Sequence, residues 1–89
     1  MSTFVVSYDL QKLGQNYDCI IKKLEAYGTH RHMQQSVWII QTNQTAVQIR
    51  DNLKPCLDQN DKLFVGKLSG EAAWWGYGQN IDNWLKQNL

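Results

Sequence analysis

The feature that most constrains the fold of this chain is its succession of strand-like and helix-like segments. Residues Thr3–Tyr8 are rich in β-branched and aromatic side chains and are closed by Asp9, which is typical of a strand. After Gly14, apolar residues recur at steps of three and four from Gln15 to Tyr27. This spacing predicts a helix, and Gly28 supplies its stop.

The middle of the chain predicts two further strands. His30–Thr42 contains the extended run Val37–Ile40, which is too short and too β-branched for a helix. The polar stretch Arg31–Ser36 is able to hold a tight turn. We therefore expect two short strands here rather than one long one.

A second helix and a last strand follow. Thr42 or Asn43 is placed to cap a helix whose apolar side includes Ile49, and Pro55 is expected to end it. After a polar turn, residues 63–68 form the last predicted strand. The order is β-α-β-β-α-β, which predicts an α+β fold of the ferredoxin-like type with two helices on one face of a four-stranded antiparallel sheet.

The domain organisation has two parts. Residues 1–70 form the predicted ferredoxin-like domain, and residues 71–89 form a C-terminal extension with aromatic residues and a short terminal helix that Asn80 is placed to cap. Because three tryptophans in water would create a large apolar patch, we expect the extension to dock on its own domain or on a partner subunit.

The sheet face away from the two predicted helices also carries apolar residues, and these need a cover. In the first strand, Phe4 and Val6 point one way and Val5 the other, and Trp38 and Ile39 likewise oppose each other in the third. A sheet with one wet face alternates cleanly, and this one does not. A chain of 89 residues also has a thin core. Both features favour a homodimer in which a second sheet covers this face.

Charge and cysteine usage limit the function classes. The formal net charge is +1, so any nucleic-acid binding has to come from a local patch. Cys19 and Cys56 form no CxxC motif, and we expect two buried thiols in a reducing cytosol. No signal peptide and no apolar run near the ~20 residues of a spanning helix is apparent, which predicts a cytoplasmic protein without membrane contact.

Asp9 is the first candidate for chemistry. A carboxylate at the end of a central strand lies at the sheet edge, and a two-fold dimer can bring two copies together. Such a pair can share a hydrated Mg²⁺ ion that activates water against a phosphodiester. The alternative is an acid that ends the strand and caps the following loop.

The motif His30-Arg31-His32 is the second candidate. Alternation places the two imidazoles on one strand face, where they can act as acid and base, and the Arg31 guanidinium suits phosphate oxygens. The alternative is a set of polar residues at a strand edge. The spacing of the histidines is also compatible with zinc, but the sequence offers no evident third ligand.

The aromatic group Trp74, Trp75 and Tyr77 is the third candidate. Aromatic rings beside glycine can stack on unpaired bases, and more often they pack at a protein interface. Packing is the interpretation that we favour. Recognisable nucleophile elbows and glycine-rich phosphate loops are absent from the sequence.

These segments resemble a group of small protein families. The resemblance to the CRISPR adaptation protein called Cas Two, and to the virulence-associated protein D family, covers residues 3–68. It extends over the whole chain for the short proteins labelled SinR-like. The matching segments are VSYDL at 6–10, Tyr27-Gly28, Gln34–Trp38, Gln41–Asn43, Leu57-Asp58 followed by Asp61, and Gly70-Glu71 before the aromatic pair.

The resemblance implies a ferredoxin-like homodimer in which the aspartate matching Asp9 is the metal-binding and catalytic residue of an endonuclease, acting on RNA or DNA. It also implies that Ser36 matches a serine near the turn. We therefore expect a nucleic-acid-associated, Mg²⁺-dependent endonuclease in which Arg31 and Ser36 contact nucleic acid and His30 or His32 assists proton transfer. The alternative is a non-catalytic dimer that docks on another protein, in a defence or phage-related role.

Overall fold

A computed structural model describes residues 1–11 and 17–89 as a sheet with helices on both of its faces. Gly14 and the predicted helix start at Gln15 lie outside the described residues. The strands are β1 (Ser2–Asp9), β2 (Thr29–Gln34), β3 (Val37–Thr42) and β4 (Lys62–Lys67), and the helices are α1 (Asp18–Glu25), α2 (Ala46–Leu53) and α3 (Gln79–Asn88).

The four strands form one antiparallel sheet in the order β2-β3-β1-β4. β1 is central, and Val6 pairs with Trp38 of β3 on one side and with Val65 of β4 on the other. The predicted α+β class and the two strands within His30–Thr42 are confirmed. The arrangement is consistent with a ferredoxin-like type, but the exact order differs by a 3₁₀ turn at Lys54–Cys56 that was not predicted. The predicted terminal helix is present as α3, with Gly78 rather than Asn80 as its N-cap.

The main core lies between the sheet and the helices α1 and α2. Side chains of alternating residues in β1 and β3 meet the apolar stripes of the two helices, because a period of two on a strand and a period of 3.6 on a helix each expose one face. The buried members are Phe4, Val6, Tyr8, Ile20, Leu24, Tyr27, Trp38, Ile40, Ile49 and Leu53.

Helix α2 begins later than the sequence indicated. Its N-cap is Thr45 rather than Thr42 or Asn43. The Thr45 hydroxyl accepts the Gln48 N–H at 3.1 Å, and the Gln48 side chain accepts the Thr45 N–H at 2.8 Å. This capping box satisfies two backbone donors at once, which a cap at Thr42 or Asn43 would not do.

The second face of the sheet is half covered by the chain itself. Leu85 of α3 packs on Met33 and Ile39, and all three are buried. The expectation that a second sheet would cover this face is therefore corrected for the β2–β3 half. The apolar residues of α3 lie on one side of the helix. That side packs on the neighbouring strands of the same chain, so this half of the face is covered without a second chain.

The expectation of two free thiols is wrong. Cys19 of α1 and Cys56, after α2, form a disulfide with a Cα–Cα distance of 5.6 Å. Cys19 is exposed rather than buried, and the bond ties the two helices of one layer together. No helix within the described ranges is long and apolar enough to cross a membrane.

Candidate functional site at the open corner of the sheet

Asp9 is exposed at the end of β1. In the β1–β4 register it lies directly opposite Lys62, which is also exposed. Within the described part of the chain, no hydrogen bond or ion pair reaches the Asp9 carboxylate. The loop-capping interpretation of Asp9 therefore finds no hydrogen bond to support it, and the carboxylate is available to solvent.

Asp9 belongs to a region that we call the open corner, formed by Val5, Ser7, Asp9, Lys62 and Phe64. Strand alternation and the β1–β4 register put these residues on the face opposite α1 and α2. Phe64 is 65% exposed, which is unusual for a phenylalanine on a sheet face. The open corner thus combines an apolar ring with one acid and one base.

The ring of Phe64 lies along its own strand, over Gly66. A Cβ atom at that glycine would stand 2.9 Å from a Phe64 ring carbon, which is closer than two carbon atoms tolerate. The glycine therefore leaves space for the ring to lie flat along the sheet. The open corner is a shallow apolar surface rather than a protruding one.

The aromatic group of the extension divides into two kinds of residue. The Trp74 indole N–H donates to Asp82 Oδ1 at 2.8 Å, and the Tyr77 hydroxyl donates to Gln34 Oε1 at 2.5 Å. The Tyr77 bond joins the extension to β2, whereas the Trp74 bond joins the first part of the extension to its own helix α3. Trp75, in contrast, is 93% exposed.

An apolar cavity lies beside Trp75. Its volume is about 420 Å³, and it extends from the extension across the second face of the sheet to Val5 of the open corner. Val37, Ile39 and Leu85 form part of its lining. The exposed indole and the open corner therefore adjoin one continuous apolar surface.

The two predicted histidines lie on the other face of the sheet, on either side of Trp38. The His32 ring stacks on the indole with centroids 4.2 Å apart and an interplanar angle of 13°, and the His30 ring is tilted at 5.9 Å. His30 Nδ1 lies 2.9 Å from the Tyr27 carbonyl oxygen, and His32 Nε2 lies 3.1 Å from that of Gln35. A carbonyl oxygen only accepts, so these nitrogens carry the protons.

Tyr8 completes this cluster from below. Its hydroxyl accepts the Trp38 indole N–H at 3.2 Å and donates to the Gln35 carbonyl at 3.4 Å. Burial raises the pKa of Tyr8, partly offset by the Trp38 hydrogen bond, which lowers it. The structure thus brings the histidines together with Trp38 and Tyr8, and it does not bring them to the Asp9 carboxylate of the same chain.

The two predicted nucleic-acid contacts are also separated. Arg31 lies under α3, where its guanidinium carbon is 5.7 Å from the centroid of the Trp84 ring, and its buried Nε has no hydrogen-bond partner among the residues that the structure describes. Ser36 lies in the β2–β3 turn, where its carbonyl accepts the Tyr8 N–H at 3.1 Å. Arg31 therefore takes part in a cation–π contact within the fold.

A magnesium site needs more than one chain provides. Among the described residues, no three His, Cys, Asp or Glu side chains come together as a potential metal site. Mg²⁺ is commonly held by one or two carboxylates with its remaining positions filled by water or phosphate. One Asp9 carboxylate satisfies the lower limit, and two copies of it would fit the ion better.

Sequence reasoning missed Lys62 and Phe64. In the predicted last strand, Leu63 and Val65 point to one face, so Phe64 between them has to point to the other. That alternation was a usable signal for an apolar residue away from the main core. The pairing of Lys62 with Asp9 depends on strand register, which the sequence pattern leaves open.

No protein-family model matches this chain. The functional interpretation therefore depends on Asp9, the open corner and Trp75.

Proposed function

We propose that the protein is a ferredoxin-like homodimer of the Cas Two-like kind that associates with nucleic acid and acts as a metal-dependent endonuclease. The observation that carries this proposal is the position of Asp9. An exposed carboxylate without a partner in the described chain shares a corner of the sheet with an exposed phenylalanine. A surface of this composition suits pairing with a second copy of the chain. Pairing would bring two Asp9 carboxylates together, one from each copy.

Exposed aromatic side chains are the structural feature that suits a second copy. The chain exposes 6028 Å², against about 5,400 Å² expected for an average globular monomer of 10.4 kDa. Phe64 and Trp75 account for the most exposed aromatic part of this surface.

The dimer would create the metal site. A two-fold axis near the open corner sets Asp9 of one protomer beside Asp9 of its partner, and both carboxylates then face a shared space. The two Asp9 carboxylates would hold a divalent cation there, which would supply charge stabilisation for phosphodiester hydrolysis. Lys62, opposite Asp9 in the sheet, supplies a positive charge for a neighbouring phosphate.

The proposal places less weight on the other predicted residues. His30 and His32 are held against Trp38, and Arg31 is held against Trp84. Proton transfer by the histidines and phosphate binding by Arg31 and Ser36 stay predictions. They require a substrate that extends from the open corner around the β2 edge.

The test is cleavage of single-stranded and duplex RNA and DNA with Mg²⁺ and with a chelator. We expect cleavage that depends on Mg²⁺ and is lost in Asp9→Asn, because the amide removes the negative charge that holds the cation. The matched control is Asp51→Asn, an exposed acid on α2 whose partner is Arg50. Absence of cleavage by the wild type, or equal cleavage by Asp9→Asn, would contradict the proposed nuclease activity.

A non-catalytic interaction protein is the second candidate. The 93% exposure of Trp75 beside an apolar cavity favours it, because an indole in water contributes to binding only when a partner covers it. A single protein bound in fixed ratio, and lost in Trp75→Ala but retained in Val47→Ala, would support this function. Val47 is also exposed and lies on α2.

A further inference from the structure

A groove bordered by several amide side chains lies at the far end of the sheet from Asp9. Its volume is about 560 Å³, and it lies between α1, α2 and the ends of β1 and β3 near Met1 and Thr42. This volume falls within the range of about 300–1,000 Å³ found for small-molecule sites. Carboxylate side chains are absent from its described lining, and Lys23 is the one cationic side chain among the described lining residues.

The groove lies between the α1 and α2 regions. Gln48 and Asn52 are four residues apart on one face of α2, and Gln44 precedes its N-cap. Lys23 lies on α1, and Tyr27 follows the C-cap of that helix. Hydrogen bonds bring the side chains of Lys23, Tyr27, Gln44 and Asn52 to the same space.

Hydrogen bonds fix these side chains in one orientation. Lys23 Nζ donates to the Asn52 carbonyl at 2.8 Å, and Asn52 Nδ2 donates to the Tyr27 hydroxyl at 3.1 Å. The Tyr27 hydroxyl in turn donates to Gln44 Oε1 at 2.7 Å. Each side chain is held by a hydrogen bond to the next one. These bonds determine which donors and acceptors stay available to a ligand.

Most of the groups left over are donors. The side-chain oxygens of Gln44 and Gln48 are occupied by the Tyr27 hydroxyl and by the Thr45 N–H, so both amide NH₂ groups lack a partner among the described residues. The Lys23 ammonium retains two N–H groups. These three nitrogen groups form the positive, donating part of the groove.

One acceptor completes the lining. Asn52 Nδ2 donates to the Tyr27 hydroxyl, which leaves Asn52 Oδ1 without a partner in the described chain. Gln41 also borders the groove, but its side chain lies on the opposite face of the sheet, where Nε2 donates to Thr3 Oγ1 at 3.2 Å and to the Asn88 carbonyl at 3.0 Å. A ligand that fits this lining needs an oxygen-rich anion and a hydroxyl group that donates.

We propose that this amide groove binds a phosphorylated sugar. The phosphate accepts from Lys23, Gln44 and Gln48, and a sugar hydroxyl donates to Asn52 Oδ1. A lysine ammonium recognises phosphate as a point charge, and neutral amides add hydrogen bonds at little desolvation cost. The site is separate from Asp9, at the opposite end of β1, and does not depend on nuclease activity.

The test is calorimetric titration of the intact chain with ribose 5-phosphate, with ribose and inorganic phosphate as comparison ligands. We expect a Kd of about 1 mM or tighter for ribose 5-phosphate, and binding at least about tenfold weaker for each comparison ligand. Inorganic phosphate that binds as tightly as ribose 5-phosphate would overturn the sugar contacts. Absence of saturable binding of ribose 5-phosphate would overturn the proposal.

Two substitutions separate binding from folding. Lys23→Gln removes the charge, and Gln48→Glu removes the NH₂ donor while its carboxylate still accepts the Thr45 N–H of the capping box. We expect each to weaken binding about tenfold or more, equivalent to one hydrogen bond to a charged group. Lys22→Gln, at an exposed position outside the groove, is the matched control. Unchanged affinity in Gln48→Glu would contradict the site.

Discussion

At the scale of single residues, the best-defined feature is the tyrosine under Trp38. The Tyr8 hydroxyl satisfies the only polar atom of a buried indole, and both rings belong to the main core. A buried N–H without a partner is costly. Tyr8 is therefore a residue whose hydroxyl, as well as its ring, stabilises the fold.

Tyr8→Phe is expected to lower the free energy of unfolding by about 1–2 kcal/mol, because it leaves the Trp38 N–H unpaired in the core. Urea denaturation at pH 8 measures this change. Trp38→Phe in the Tyr8→Phe background is the control, since removing both partners is expected to cost less than the sum of the two single substitutions. Additive effects would contradict a coupling between Tyr8 and Trp38.

The pH dependence of Tyr8 provides a further outcome of the same substitution. Burial raises its pKa in the folded protein above the ordinary value of 10.0. The unfolded chain therefore loses the proton first, and stability falls as the pH rises above about 10. The fall between pH 9 and 11 is expected to be smaller in Tyr8→Phe, and identical slopes would contradict burial of the hydroxyl.

The sequence predicted Asp9 at a strand end, but it did not predict what surrounds each candidate residue. The pairing of Asp9 with Lys62 depends on strand register, and the stacking of His32 on Trp38 depends on the neighbouring strand. Both are contacts between residues distant in sequence. A pattern along one strand fixes the face of a residue and leaves its neighbour undetermined.

At the scale of elements, the disulfide joins helix α1 to the turn after α2. Its cysteines are 37 residues apart, so the closed loop restricts a large part of the unfolded chain. Disulfides persist mainly in oxidising compartments. The cytoplasmic location stays a prediction, and the redox state of this pair in cells bears on it directly.

Replacing both cysteines by serine is expected to lower the free energy of unfolding by about 2–4 kcal/mol. Urea denaturation measures the loss, and reduction of the wild type with dithiothreitol is expected to produce a similar shift. The serine variant serves as the control, because reductant has nothing to act on there. If reductant leaves the free energy of unfolding of the wild type unchanged, the disulfide does not stabilise the fold.

The extension is expected to loosen in acid. The Trp74 hydrogen bond, followed by the one from Lys86, lowers the pKa of Asp82. Stability from the ionised carboxylate is therefore present above the ordinary pKa of 3.8 and is lost as the pH falls through the lower folded value. Trp74→Phe is expected to reduce the loss of stability between pH 5 and pH 2.

Thermal unfolding at these two pH values measures this difference. Asp82→Asn is the control, and it is expected to remove the same pH dependence without removing the indole. If Trp74→Phe retains the slope of the wild type, the hydrogen bond between Trp74 and Asp82 of α3 does not stabilise the folded protein.

Most elements followed from local pattern. Four strands and the helices were predicted because β-branched runs and stripes at three- and four-residue steps are recorded in the sequence itself. The predicted N-cap of α2 was wrong because Thr42, Asn43 and Thr45 are all residue types that can cap a helix. Only Thr45 has a glutamine three residues later, with which it forms the capping box. The docking of α3 on Met33 and Ile39 was open because its apolar side fits either the same chain or a partner.

At the scale of the whole molecule, the two faces of the sheet have different covers. Helices α1 and α2 cover one face, α3 covers the β2–β3 half of the other, and the open corner with Phe64 is left exposed. The central claim is that a second copy covers this corner and brings two Asp9 residues together.

Cross-linking of Asp9→Cys by a short bis-maleimide tests this claim most directly. The native cysteines are paired and do not react, so any link joins the introduced thiols. Asp51→Cys, on α2, is the matched control. The account predicts that Asp9→Cys forms a covalent species of about twice 10.4 kDa while Asp51→Cys stays single. Asp9→Cys that links no better than Asp51→Cys at micromolar concentration would contradict it.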